Sequence, residues 1–401
     1  MPANPLVSRR VFLTTAGLAV GAAGVYAATR RASSAGAPEA TPGEGPRIPR
    51  RPLGKTGLTV PLLLYGGGRF NASGADPRYR EALAFGANYF DTADCYDGCE
   101  EALGRFLASS GVARDSLWIT SKSCPEDPDG FTASLDRSLA RIGTDHLDAF
   151  FIHALDQEEV LDDPAVAARM KQLKEEGKAR CTGFSSHAAN MPELLMKAAK
   201  TPWVDMVMFR YNFRKYGDDR LNAAMDAAHD AGVGLIAMKT QGSALQADRE
   251  ASTLPESAQW NRYQLALKAV WQDTRLSAAV SLMDSIGKLR QNVAVALDEG
   301  PLSAAERAAL HAYAADTADV ACLGCDHLCN AAVDGPVQIG AVMRHLMYAD
   351  VYGQEDEARA RFAALPDGAR DLARDFRGAN AACPQGIDVA WHMDRARERL
   401  A

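Results

Sequence analysis

Four polar residues fall at or just past short apolar runs: Asp91 after Asn88-Tyr89-Phe90, Tyr96 five residues on, Lys122 after Trp118-Ile119-Thr120-Ser121, and His153 after Phe150-Phe151-Ile152. An amine beside a carboxylate and a phenol stabilises phenolate. It lowers an unperturbed pKa of about 10 and makes the phenol a usable proton donor and acceptor. An imidazole nearby can orient a carbonyl oxygen. Together the four suit proton delivery to a carbonyl while a hydride reaches its carbon from a nicotinamide. Singly, each also reads as structure: a rim ion pair, a buried phenol, a core histidine.

Thiols form a second constellation, Cys322-x2-Cys325-x3-Cys329 followed much later by Cys383-Pro384-Gln385-Gly386-Ile387. Three thiols on a short segment and a fourth before proline resemble ferredoxin-type ligation of one 4Fe-4S cluster. The spacing departs from C-x2-C-x2-C-x3-C-P. A four-cysteine zinc site uses the same atoms, disulfides are open in an oxidising compartment, and covalent haem is disfavoured because Asp326 separates Cys325 from His327. Of the other thiols, Cys95 and Cys99 flank Tyr96 as a conceivable redox pair. Together with Cys124 and Cys181 they read more readily as small packing residues near strand ends.

The elements that must carry these groups alternate short β-branched or aromatic runs with helical patterns from about residue 58 to 300. Strands are expected near 61–66, 87–91, 116–121, 147–152, 180–184, 204–209, 233–238 and 277–282, with helices between them. Eight such units predict an α/β (β/α)8 TIM barrel, whose chemistry sits at the C-terminal ends of the strands. An open doubly wound sheet would want G-x-G-x-x-G after its first strand, and Gly66-Gly67-Gly68 lacks that spacing. Beyond residue 300 only helices are expected, opening with Ser303 as cap and Glu306 reaching back. The division is a barrel over 50–300 and a C-terminal α-helical, Cys-rich extension over 301–401.

Leu53-Gly54-Lys55-Thr56-Gly57-Leu58-Thr59-Val60 and the stretch from Gly86 to Glu100 resemble the opening and the signature of aldo-keto reductases. The resemblance covers roughly 51–300 and implies that Tyr96 is the general acid, Lys122 its modulator, Asp91 the partner of Lys122 and His153 the carbonyl-orienting group. It implies NADP(H) as well. Ser185 and Ser186 stand where the family holds the nicotinamide amide, while Met208 stands where the family has Gln. Ser281, Ser285, Lys288 and Asn292 are phosphate or adenosine candidates, with Arg290 as a second cation and Asp284 as an unfavourable charge; Lys239 is a further cofactor neighbour. Together with Leu346-Met347-Tyr348 and Tyr352-Gly353, the extension resembles that of a ferredoxin-like subgroup.

The chain has 401 residues and a formal charge of −7, so it offers no basic footprint for nucleic acid. A small carbonyl compound is the expected partner, with a redox protein as a further possibility. Residues 1–31 hold four arginines and no acid around an uncharged run from Val11 to Ala28, and Ser8-Arg9-Arg10-Val11-Phe12-Leu13 resembles a twin-arginine export signal. Export to the periplasm or another extracytoplasmic space is expected, with cleavage near Val25-Tyr26-Ala27 and a linker over 32–49. A membrane would be met only through an uncleaved signal.

Overall fold

The computed structural model describes residues 46–68, 76–96, 98–124, 128–241, 259–350 and 353–401; the export segment and most of the linker lie outside them. Eight parallel strands close a barrel: β3 (Leu63–Gly66), β4 (Tyr89–Asp91), β5 (Trp118–Ser123), β6 (Leu147–Ile152), β7 (Ala179–Ser186), β8 (Met206–Arg210), β9 (Gly234–Met238) and β10 (Leu276–Leu282). Pairing of Ala279 on β10 with Leu63 on β3 completes the ring. The expected (β/α)8 architecture is therefore present, with every expected strand found to within a few residues.

Alternation along the strands sorts side chains between two layers. On β6, Ala149 and Phe151 point into the barrel, and Phe150 and Ile152 face the helices. Tyr89 stacks on Trp118 inside, their ring centroids 5.3 Å apart. Helices α1 (Asp76–Ala84), α2 (Cys99–Ser110), α3 (Pro128–Ile142), α4 (Pro164–Glu175), α5 (Met191–Ala198), α6 (Asp219–Asp230), α7 (Arg262–Gln272) and α8 (Ile286–Ala296) surround the sheet. Asp163, Asp218 and Asn261 cap three of them by accepting from backbone N–H groups. Gly183 has no substitute on β7, because a Cβ there would lie 1.9 Å from the Met206 carbonyl oxygen of the next strand.

One element departs from expectation. The run expected as a strand over 61–66 is split: β1 (Arg50–Pro52) and β2 (Thr59–Pro61) form an antiparallel hairpin before β3 begins. Gly54 and Gly57, at φ of 49° and 75°, make the turn. Leu53 and Val60 then plug the floor of the barrel, both fully buried.

After the barrel, α9 (Ala304–Asp316) carries the expected reciprocal cap between Ser303 and Glu306. Its Leu310 and Tyr313 join the barrel's outer core. From Val320 onward a separate core forms among α11 (Ile339–Asp350), α12 (Glu355–Ala363), α13 (Arg377–Ala382) and α14 (Val389–Leu400), with the short α10 (Asp326–Asn330) at its edge. Val342, Leu346, Phe362 and Met393 sit at its centre. Among the described residues no helix is long and apolar enough to cross a membrane.

Candidate active site

Three successive strands deliver the expected groups to the C-terminal rim. Asp91 ends β4, Lys122 lies in the last turn of pleat of β5, and His153 follows β6. Lys122 Nζ donates to Asp91 Oδ1 at 2.7 Å and to the Thr92 carbonyl at 2.6 Å, and both side chains are buried. The same ammonium stands 5.2 Å from the Tyr96 ring centroid, and the Tyr96 ring meets His153 edge-on at 5.6 Å. The structure thus brings all four together.

Electrostatics at this cluster differ from the expectation in one respect. Burial pushes the Tyr96 phenol upward, reinforced by Asp91 and Tyr348, instead of downward under the influence of Lys122. Desolvation of a would-be phenolate outweighs one cation whose hydrogen bonds are already given to Asp91 and Thr92. Tyr96 is accordingly a phenol that donates. Burial likewise raises Asp91 against the opposing charge of Lys122, and burial with the nearby cations Lys122, Arg361 and Lys239 drives His153 far below its ordinary value. His153 is a neutral imidazole.

The expected cofactor residues are placed unevenly. Ser185 Oγ and Ser186 Oγ, at the end of β7, accept from the backbone N–H groups of Ala154 and Ala188. Met208 is buried inside the barrel, so the rim position of β8 is filled by Arg210. Lys239 follows β9 with a φ of 55°, and Ala154 next to His153 has 57°. Backbone strain of this kind collects at functional rims. Ser281 donates to Gln241 Oε1 and accepts from Asn292 Nδ2, while Gln241 Nε2 donates to Asn292 Oδ1, a closed ring at the ends of β9 and β10. Ser285 caps α8; Lys288 is paired with Asp284 at 2.8 Å and Arg290 with Glu81 at 2.5 Å. The rim therefore fits the reacting end of a nicotinamide nucleotide, whereas the cations considered for a 2′-phosphate are already neutralised.

At the mouth, Lys239, Cys322 and Tyr348, singled out in the sequence, meet His187, Arg210 and Arg344, which had been given no role. His187, Arg210, Lys239, Cys322, Arg344 and Tyr348 line one small cavity between barrel and extension. Arg344 donates to the His187 carbonyl at 3.5 Å, and Lys239 Nζ lies 5.4 Å from the Tyr348 ring centroid. Arg210 carried the same signal as Asp91, a polar residue ending a strand. Arg344 carried none, and Tyr348 was marked only as part of the extension's Leu346-Met347-Tyr348, because α11 reaches the mouth only through tertiary packing. Cys95, read as packing, is bonded to Cys124. Cys99 and Cys181 are buried and free, as expected of packing thiols.

Cys322, Cys325, Cys329 and Cys383 line one apolar cavity of the extension with Ile339, Met343 and Pro384. Burial, with Cys322 beside it, pushes the Cys329 thiol up to about 12. Among the described residues the four sulfurs are not gathered within 4.8 Å of one another. A tetrahedral zinc with Zn–S bonds of ~2.3 Å would need them about 3.8 Å apart.

The profile of the aldo/keto reductase family matches residues 63–311. The chain belongs to the aldo/keto reductase family. An aldo-keto reductase of Mycolicibacterium vanbaalenii is 34% identical over 155 residues, 37% of this chain and 54% of that protein. The L-glyceraldehyde 3-phosphate reductase of Escherichia coli K12 is 27% identical over 234 residues, 53% of this chain and 67% of that one. The chain thus spans about half the length of the mycobacterial relatives it matches. Among solved structures, the holo form of an aldo-keto reductase from Bacillus halodurans shares the fold at a TM-score of 0.55 with 22% identity, covering 66% of this chain and 96% of that one. An aldo/keto reductase from Brucella melitensis does so at 0.53 with 21% identity, covering 66% and 99%. The matched region runs from β3 through the barrel into α9 and stops before the thiols of the extension.

Proposed function

We propose that this aldo/keto reductase family member reduces a small aldehyde or ketone to an alcohol, with Tyr96 as the proton donor. The observation that carries the reading is the contact set of Asp91, Lys122, Tyr96 and His153 on one rim. A bound nicotinamide nucleotide would supply the hydride, held by Ser185, Ser186, Lys239 and Ser281 at the ends of β7, β9 and β10 and by Asn292 on α8. Tyr96, kept protonated by burial, gives its proton to the carbonyl oxygen as charge develops there. Lys122, anchored by Asp91, meets the ring that becomes phenolate. Neutral His153 orients the carbonyl by a hydrogen bond without competing as an acid. The paired states of Lys288 and Arg290 support no preference between NADP(H) and NAD(H).

Tyr96→Phe tests this. The variant should keep its fold by circular dichroism and lose ~10²-fold or more of its rate on a panel of aldehydes and ketones with NADPH or NADH. Equal turnover by variant and parent would remove Tyr96 from the role.

The extension is read as holding one 4Fe-4S cluster on Cys322, Cys325, Cys329 and Cys383. The observation behind this reading is the single apolar cavity that all four thiols line. A cluster would supply one-electron chemistry. A second reading rests on the departures of the cofactor loops, Met208 where the family has Gln and the pairing of Lys288 and Arg290 with carboxylates: an exported electron-transfer or binding protein, served by a redox partner, in which the tetrad is vestigial. Nicotinamide nucleotide co-purifying with the protein would favour the first reading, and its absence at saturating nucleotide the second. Export itself is proposed on Ser8-Arg9-Arg10-Val11-Phe12-Leu13. Replacing both arginines by lysine should retain the protein in the cytoplasm, since the pair is read as an address, and undiminished export would discard this route.

A further inference from the structure

The disulfide between Cys95 and Cys124 joins two strand ends within the tetrad itself. Cys95 directly precedes Tyr96, Cys124 lies two residues past Lys122, and the two are 29 residues apart in sequence. Both sulfurs lie 3.4 Å from Nδ1 of His153. Carbonyl reduction as derived above uses neither cysteine, yet they are the neighbours of one ring nitrogen of a residue that it does use. Cys95 is exposed, so the bond can be reached from solution.

The chemistry of the contact depends on the oxidation state of the sulfurs. A neutral imidazole carries one proton, on Nδ1 or on Nε2, and the partner at one nitrogen decides which. Burial and the surrounding Lys122, Arg361 and Lys239 keep His153 neutral, so this choice is open to it. A thiol at Cys95 or Cys124 has an S–H to donate to Nδ1, which leaves the proton on Nε2. A disulfide has no hydrogen to give. Its sulfurs are weak acceptors only, so the bonded state favours the proton on Nδ1 and strips Nε2 of its donor.

We propose that Cys95 and Cys124 form a redox-sensitive positioning pair that sets the tautomer of His153: the dithiol presents Nε2–H as a donor, and the disulfide withdraws it. Reduction is by thiol–disulfide exchange with an external dithiol. A thiolate of the dithiol attacks one sulfur of the pair, a mixed disulfide forms, and the second thiol of the reductant displaces it. Two electrons and two protons thereby pass to Cys95 and Cys124 while the reductant closes its own disulfide. The effect on turnover rests on the carbonyl-reduction reading; the effect on the histidine does not.

The test uses the full chain, labelled with 15N-histidine, in its disulfide form and after reduction by dithiothreitol, with iron content measured in both. Peptide mapping should find Cys95 linked to Cys124 in protein purified without reductant. On reduction, the His153 nitrogen signals, assigned with His153→Gln, should move toward the Nε2–H tautomer. Turnover on a carbonyl substrate should rise about 10²-fold at unchanged iron content, as expected when one hydrogen-bond donor to a developing oxyanion is restored. In the Cys95→Ala/Cys124→Ala variant dithiothreitol should leave those signals unmoved. Free Cys95 and Cys124 in the oxidised preparation, or His153 signals that do not differ between the two states, would overturn the proposal. A tautomer change with no turnover in either state upholds it and counts instead against carbonyl reduction.

Discussion

Arg210, the last residue of β8, donates from Nη2 to the backbone carbonyl of Cys322 in the extension, so one guanidinium joins the rim of the barrel to the segment that carries three of the four thiols. Nearby, Arg214 donates to the Ala314 carbonyl at 3.0 Å, and its guanidinium stands 5.1 Å from the Tyr313 ring. Barrel and extension are thus held together by arginines reaching for main-chain oxygens.

Replacing Arg210 by leucine should loosen that joint. A charged donor lost from a carbonyl costs ~1.5–3 kcal/mol, and here the cost falls on a short loop. Faster hydrogen exchange over residues 320–330, with the barrel strands still protected, is the expected result. Uniform exchange in variant and parent would show that the loop is held by other contacts.

The Lys122–Asp91 pair should be costly to break from one side. Lys122→Met leaves Asp91 buried without its counter-ion and is expected to reduce stability by about 3–5 kcal/mol. Adding Asp91→Asn should recover part of that loss, since a neutral amide needs no counter-ion. Denaturant melts of the two variants beside the parent decide it, and a double variant no more stable than the single one would contradict this account.

Acid should destabilise the extension through His345. Burial on α11, with Arg344 and Arg361 close by, lowers this imidazole to about 3 from its ordinary 6.5. The unfolded chain takes up a proton near the higher value and the folded chain only near the lower. Between them the unfolded state binds more protons, so stability falls as the pH is lowered through that window. His153, His187 and His392 are lowered as well and add to the trend. Melting temperatures from about pH 7 to 4 should drop more steeply in the parent than in His345→Gln, and parallel slopes would assign the effect to the other histidines.

Anaerobically prepared protein should be brown and carry about four irons per chain. Cys383 closes the site from 54 positions beyond Cys329, and α13 and α14 flank it. Cys383→Ser should therefore lose iron and relax the extension, while the barrel's melt persists. Stoichiometric zinc, or metal-free thiols paired as disulfides, would end the iron–sulfur reading.

The order of the strands, their polar terminal residues and the two groups of chemistry-bearing side chains were legible in the sequence by itself. Local alternation and residue type determine which residues enter the sheet and which stand at its ends, so Asp91, Lys122 and His153 could be placed on one rim before any coordinate. The hairpin under the barrel was missed because β2 and β3 are separated by a single residue, Leu62, and read as one run. Pairing of Cys95 with Cys124, capture of Lys288 and Arg290 by carboxylates, and arrival of Tyr348 and Arg344 at the mouth were decided only by tertiary structure. Apart from the Lys288–Asp284 pair, which is four residues apart in sequence, each joins segments whose separation in sequence says nothing about their distance in space. The upward shift of Tyr96 belongs with them: its sign depends on how much water the surrounding chain excludes, and Tyr348 and Arg361 of the extension are among the groups brought close to it.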